Sequence, residues 1–77
     1  MKVDSFISKI EEEFDDLEPG LLKPNSIYKD IVNWNSMNAL LFIIMIETEF
    51  GVLLRDDDFV KGETVQSLYD KINNHKD

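Results

Sequence analysis

The feature that most constrains this chain is an uninterrupted apolar run of eight residues, Ala39–Ile46. One buried face of an α-helix cannot hold such a run, because successive side chains point in different directions around the helix axis. We predict a helix from about Ser36 to Phe50, with one stripe facing the core and a second apolar face beside it. The core stripe comprises Ala39, Phe42, Ile43, Ile46 and Phe50.

The second face of this helix contains Met37, Leu41, Ile44 and Thr48, and its apolar part is Met37, Leu41 and Ile44. Two interpretations of this face are possible: neighbouring helices cover it, or it is exposed and binds a partner. We favour exposure, because one side of a helix in so small a protein must face water, and exposed apolar patches mark interaction sites.

A polar turn precedes the helix. Asn35 is a good N-cap residue, because its side-chain oxygen can accept from a free N–H group of the first turn. Ser36 then takes the first helical position, with its hydroxyl in solvent at the positive end of the helix dipole. A phosphate attached there would be stabilised by the dipole and the unpaired N–H groups. At the other end, Gly51 and Val52 are suited to terminate the helix.

Composition narrows the possible functions. A chain of 77 residues predicts one domain, and 8 Lys+Arg against 16 Asp+Glu give a net charge of −8. This charge disfavours nucleic acid and anionic membranes, and favours basic surfaces on other proteins. There is no cysteine and only one histidine, His75, so we predict neither catalytic nor metal-binding residues. The longest apolar run is far shorter than the roughly 20 residues that span a bilayer.

Two further amphipathic helices are predicted. The first starts near Asp4 or Ser5 and ends before Pro19; its acidic run, Glu11–Glu13, is interpreted as a solvated face rather than a docking patch. The last helix begins at the capping residue Thr64 and frays from Asn73 onward. Apolar residues recur at helical spacing in both: Val3, Phe6, Ile7, Ile10, Phe14 and Leu17 in the first, and Val65, Leu68, Tyr69 and Ile72 in the last.

The sequence also indicates how the predicted helices are connected. Pro19, Gly20 and Pro24 indicate a long loop that extends to Trp34. The segment Asp56–Val60 is a candidate short helix that ends before Gly62. Its consecutive aspartates lack the spacing of a calcium loop, so a capped helix start is favoured over a metal site.

These motifs together resemble the acyl carrier protein family. The resemblance rests on NSM at 35–37, ExEFGV at 47–52 and TVQSLYDKI at 64–72, and covers roughly residues 27–74. It implies an all-α fold: a small four-helix bundle with a long loop between helices one and two and a short third helix, formed by a single domain over 1–77. Trp34 lies where the family usually has a small residue; we favour a core position over contact with a prosthetic group.

The resemblance also implies a function. A phosphopantetheinyl transferase would attach 4′-phosphopantetheine to Ser36, and its thiol would carry acyl or aminoacyl groups as thioesters between acyl-loading and acyl-accepting enzymes. The protein itself is expected to be a monomer; its residue types predict that it is non-catalytic, and an N-terminus without the apolar region of a signal peptide predicts that it is cytoplasmic. Residues around the serine would bind partners: Asn35, Met37, Asn38, Leu41 and Ile44.

Three positions depart from the family pattern. Asn35, Asn38 and Leu41 stand where acidic residues are usual. Their loss should weaken electrostatic steering and favour apolar recognition. We therefore expect a carrier for a lipid, polyketide or other specialised acyl pathway rather than the housekeeping carrier of fatty acid synthesis. The alternative is an unmodified, carrier-like helical module that binds a partner through the Met37, Leu41 and Ile44 face.

Overall fold

The computed structural model describes residues 2–75, which form four α-helices and one turn of 3-10 helix. In chain order the α-helices are α1 (Val3–Glu13), α2 (Tyr28–Ile31), α3 (Ser36–Phe50) and α4 (Val65–His75), and the 3-10 turn is Asp56–Asp58. The described part contains no strand, only an isolated bridge between Ile27 and Thr64. The predicted all-α fold class is confirmed. None of the described helices is both long enough and apolar enough to cross a membrane.

Helix α3 has the predicted bounds, and both of its ends are stabilised locally. Asn35 caps the start, where its side chain accepts from the Asn38 N–H. Gly51 follows the end with φ of 70°, a conformation that glycine adopts at little cost, and donates to the Glu47 carbonyl at 2.9 Å. The predicted hydrophobic contact after the glycine is also present, since Val52 is buried.

Helix α1 is shorter than the sequence predicts. It ends at Glu13, although Phe14 and Leu17 beyond it are buried as expected. Carboxylates at the end of α1 face the negative end of its dipole, which disfavours a longer helix. Glu11 also favours the turn, because its carboxylate accepts from the Gly20 N–H at 2.9 Å. Part of the acidic run therefore stabilises the chain reversal, so the run is not a purely solvated face.

The connection between α1 and α3 contains one turn of helix, α2, that the sequence did not reveal. Its start is tied to α4: Val65 N–H donates to the Ser26 carbonyl at 2.9 Å, and Gln66 N–H donates to the Pro24 carbonyl at 2.8 Å. These bonds use free donors of the first turn of α4. The long loop is therefore anchored to the bundle.

The predicted short helix in 56–60 is only the 3-10 turn Asp56–Asp58. It stops there because Phe59 turns into the core and two lysines bind the backbone: Lys71 Nζ donates to the Asp58 carbonyl, and Lys29 Nζ donates to the Phe59 carbonyl. At its start, the Asp58 carboxylate accepts from the Arg55 N–H at 2.7 Å. Asp58 therefore acts as a capping residue here.

Helix α4 begins as predicted, because Thr64 Oγ1 accepts from the Ser67 N–H at 3.1 Å. It continues to His75, so residues 73–75 are helical rather than frayed, and residues 76–77 of the predicted frayed end lie outside the described residues. Its predicted core stripe is buried and packs with α1 and α3 around one core. The described core cluster contains Phe6, Ile7, Ile10, Phe14, Leu17, Leu22, Tyr28, Val32, Phe42, Met45, Ile46, Phe50, Val52, Leu54, Phe59, Val65, Leu68, Tyr69 and Ile72.

Candidate functional site

The start of α3 presents Ser36 to solvent. Asn35 Oδ1 accepts from the Asn38 N–H at 2.8 Å, and the Asn35 carbonyl accepts from the Ala39 N–H at 2.9 Å. These bonds place Ser36 at the first helical position, where the structure leaves it exposed. The N–H groups of Ser36 and Met37 have no carbonyl one turn earlier to bond within the helix. The first turn of α3 contains no acidic residue, so no side chain of this turn neutralises the positive end of the helix dipole.

Asn38 connects the helix to the preceding loop. Its side-chain amide Nδ2 donates to the Asn33 carbonyl at 2.6 Å, while its backbone N–H is bound by Asn35. A carboxylate at this position has no proton to donate to a carbonyl. The amide that departs from the family pattern therefore holds the approach to Ser36 in place.

An aromatic cluster lies beneath this approach. The Trp34 ring centroid is 5.2 Å from that of Phe42, 5.3 Å from that of Phe59 and 5.5 Å from that of Tyr28. Lys29 Nζ lies over the Trp34 ring, 5.0 Å from its centroid. Trp34 is half-buried and packs against the core, as the favoured interpretation of the sequence predicted.

A polar network beside the aromatic cluster joins the segment before α4 to α2. The Tyr28 hydroxyl donates to Glu63 Oε1 at 2.6 Å, and Lys71 Nζ lies 2.9 Å from Glu63 Oε2. Burial raises the pKa of Tyr28 well above its usual range, and the hydrogen bond to Glu63 and the charge of Glu63 raise this pKa further. No sequence pattern had indicated this network, because its members are distant along the chain.

This shift predicts an alkaline stability loss that depends on Tyr28. The unfolded chain releases the phenol proton near pH 10, whereas the folded protein retains it. The contribution of Tyr28 to the free energy of unfolding is therefore complete below that pH and is lost as the pH rises above it. Between pH 8 and pH 11 the free energy of unfolding of the wild type should fall by about 1.4 kcal/mol more than that of Tyr28→Phe. Urea unfolding at both pH values measures the difference. Equal pH dependence of the two proteins would contradict this account.

The outer face of α3 carries three exposed apolar side chains: Met37 is 73% exposed, Leu40 54% and Ile44 50%. We call these three residues the apolar stripe. They lie at i, i+3 and i+7, on one side of the helix. The sequence analysis had placed Leu41 in this face and had not named Leu40. The structure corrects this, because Leu41 is half-buried and packs against the core, about 100° around the helix from Leu40.

The predicted core stripe of α3 also differs at two positions. Ala39, Phe42, Ile46 and Phe50 are buried as expected. Ile43 is only half-buried, and Met45, which was not predicted, is 4% exposed.

A shallow cavity of about 100 Å³ lies where the end of α1, α2 and the start of α3 meet. Its lining residues are Phe14, Asp16, Leu17, Ile31, Val32, Asn33 and Asn38. Ser36 is not among them. Across residues 2–75, no group of three His, Cys, Asp or Glu side chains could hold a metal ion. The site therefore consists of an exposed serine, a capped helix start and the apolar stripe.

A helical fold with an exposed serine opening its most apolar helix defines the class of small carrier-like bundles. A curated acyl carrier protein from Thermosynechococcus vestitus is 33% identical to this chain over 58 residues, which are 75% of this chain and 72% of that protein. The chain belongs to the acyl carrier protein family. No protein-family model matches the chain, and no solved structure matches it.

Proposed function

We propose that this protein is a carrier whose Ser36 accepts 4′-phosphopantetheine from coenzyme A. In this transfer the Ser36 oxygen bonds to phosphorus, the pyrophosphate bond of coenzyme A breaks, and adenosine 3′,5′-bisphosphate leaves. A phosphopantetheinyl transferase takes up the hydroxyl proton. When bound, the group supplies a terminal thiol that holds acyl or aminoacyl cargo as a thioester.

The observation that carries this proposal is the position of Ser36. Its hydroxyl is exposed at the first residue of a capped 15-residue helix, where the dipole and free N–H groups stabilise an anion. A phosphodiester there gains typically about 0.3–1 kcal/mol from the dipole. The other side chains at the site then have positioning roles: Asn35 caps the helix and Asn38 holds the loop.

Intact-mass measurement tests the proposal. The wild-type protein, incubated with coenzyme A and a broad-specificity phosphopantetheinyl transferase, should gain one phosphopantetheine, and peptide mapping should place it on Ser36. Modification at the exposed Ser5, Ser8 or Ser67 instead would overturn the assignment. No gain of mass would favour the alternative of an unmodified interaction module.

The kind of pathway is proposed from the loss of acidic residues that are usual in the family around the serine. Asn35, Asn38 and Leu41 replace carboxylates that family members use to attract partner enzymes, and no charged residue occurs between Ser36 and Ile46. This favours a dedicated carrier in a specialised acyl, polyketide, aminoacyl or saccharide-modifying pathway. Its partners are then the transferase and the enzymes that load and accept the acyl group.

The apolar stripe is proposed as the surface that these partners contact. Leu40→Glu places a charge where Leu40 now meets water, so its free energy of unfolding should change by at most about 0.5 kcal/mol. The variant should nevertheless be a poorer substrate for the transferase, because the charge must be desolvated when the partner binds.

Leu41→Glu is the matched comparison on the neighbouring position. Leu41 packs against the core, so this variant should lose about 1–3 kcal/mol of stability. Thermal melting by circular dichroism measures stability, and the transfer rate measures docking. A Leu40→Glu protein that is modified as fast as the wild type would exclude Leu40 from the contact surface.

A further inference from the structure

Helix α3 presents an apolar surface next to Ser36 without charges of its own. The apolar stripe occupies its exposed side, and Glu47 and Glu49 near its far end are its only charged residues. Any electrostatic attraction of a partner to this end of the molecule must therefore come from another element.

Helix α1 borders α3 and runs antiparallel to it, and the 3-10 turn Asp56–Asp58 also contacts α3. Lys9 Nζ lies 3.5 Å from Glu49 Oε1 near the end of α3. The Phe14 and Phe42 ring centroids lie 5.3 Å apart, and Asp16 shares a cavity with Asn38 at the start of α3. The acidic end of α1 is thus brought to the end of α3 that carries Ser36.

Two carboxylates lie at this end, Glu13 in the last turn of α1 and Asp16 just beyond it. Glu13 is four residues after Lys9 and so lies on the same side of α1, the side from which Lys9 reaches α3. Asp16 lines the cavity beside Asn38. Both residues are exposed. The one lysine on this border, Lys9, is paired with Glu49, so the border near Ser36 is negative.

These carboxylates do not stabilise α1 itself. An anion at the C-terminal end of a helix is disfavoured by the dipole, and α1 has no basic residue in its last turn. The stability of the helix therefore does not explain their position.

We infer that partner enzymes reach Ser36 across a composite surface, in which the apolar stripe of α3 supplies contact area and Glu13 and Asp16 of the α1 end supply the attracting charge. The partner is an enzyme whose docking face joins an apolar patch to lysine or arginine side chains on one border. This inference rests on the proposed function and specifies its partner. The phosphopantetheinyl transferase is the partner that can be tested directly.

The experiment compares two double variants with the same change of charge. Glu13→Gln with Asp16→Asn neutralises the proposed border. Asp4→Asn with Asp70→Asn neutralises one exposed carboxylate at the opposite end of α1 and one on α4. Circular dichroism melting establishes that both proteins are folded. The measured quantity is kcat/KM for transfer of phosphopantetheine from coenzyme A to Ser36.

At about 0.1 M salt, where the Debye length is about 10 Å, the border variant should lose about three- to ten-fold in kcat/KM and the control less than about two-fold. The loss should appear in KM. At about 1 M salt, where the Debye length is about 3 Å, the border variant and the wild type should agree within about two-fold.

The possible failures can be told apart. If the wild type is modified but the two double variants show equal losses in kcat/KM, the composite surface is overturned. The transfer rate would then depend on net charge and not on where the charge lies. A border variant as active as the wild type at 0.1 M salt would overturn it as well. A wild type that is never modified on Ser36 would overturn the proposed function and, with it, the docking surface.

Discussion

Ser36→Ala is expected to abolish attachment of phosphopantetheine while leaving the fold intact. The hydroxyl oxygen is the atom that would bond to phosphorus, and alanine has no replacement for it. Ser36 is exposed at the first helical position, and alanine is a strong helix former, so the free energy of unfolding should change by no more than about 0.5 kcal/mol. Intact mass after reaction with coenzyme A and transferase, together with a thermal melt, measures both effects.

Ser5→Ala is the matched control, because Ser5 is an exposed serine in the first turn of α1. It should be modified like the wild type. Ser36→Thr adds a test of geometry, since it keeps a hydroxyl at the same position but adds a methyl group. Retention of the full mass gain in Ser36→Ala would show that another side chain is the attachment point.

Phe42→Ala is expected to unfold most of the protein. Phe42 is fully buried, and its ring packs on Trp34 at 5.2 Å, Phe14 at 5.3 Å and Tyr28 at 5.8 Å between centroids. Truncation removes these contacts and leaves a cavity, at a cost of about 3–5 kcal/mol. A domain of this size has a net stability of only about 3–5 kcal/mol, so little folded protein should remain.

Ile44→Ala is the control on the opposite side of the same helix. Ile44 is 50% exposed, so its truncation should cost far less, on the order of 1 kcal/mol or below. Urea unfolding followed by circular dichroism measures both variants. If Phe42→Ala unfolds at the same urea concentration as Ile44→Ala, then Phe42 is not the centre of the core.

The position of Ser36 at the start of α3 could be predicted from the sequence because its setting is local, whereas its role as an attachment residue was implied by the family resemblance. The N-cap residue Asn35 and the C-terminal residue Gly51 act on backbone groups within one turn of themselves, so both ends of α3 are readable from neighbouring residues. The same holds for Thr64 at the start of α4. The exposure of Ser36 then follows from its position as the first helical residue.

Periodicity had limited power inside α3, because nearly every position there is apolar. The choice between Leu40 and Leu41 for the exposed face depends on where the rest of the core packs, and an unbroken apolar run contains no polar residue to mark the direction of solvent. The burial of Met45 was missed for the same reason.

The sequence by itself determined the starts of α3 and α4, the turn residues and the chemistry available at Ser36, since each depends on residues that are close together along the chain. Only the tertiary structure decided which apolar side chains of α3 meet water, how Tyr28, Glu63 and Lys71 form a network, and that the acidic end of α1 lies beside the start of α3. These features depend on contacts between residues far apart in the chain. Such contacts form only when the helices pack, and the pattern within any one helix does not specify them.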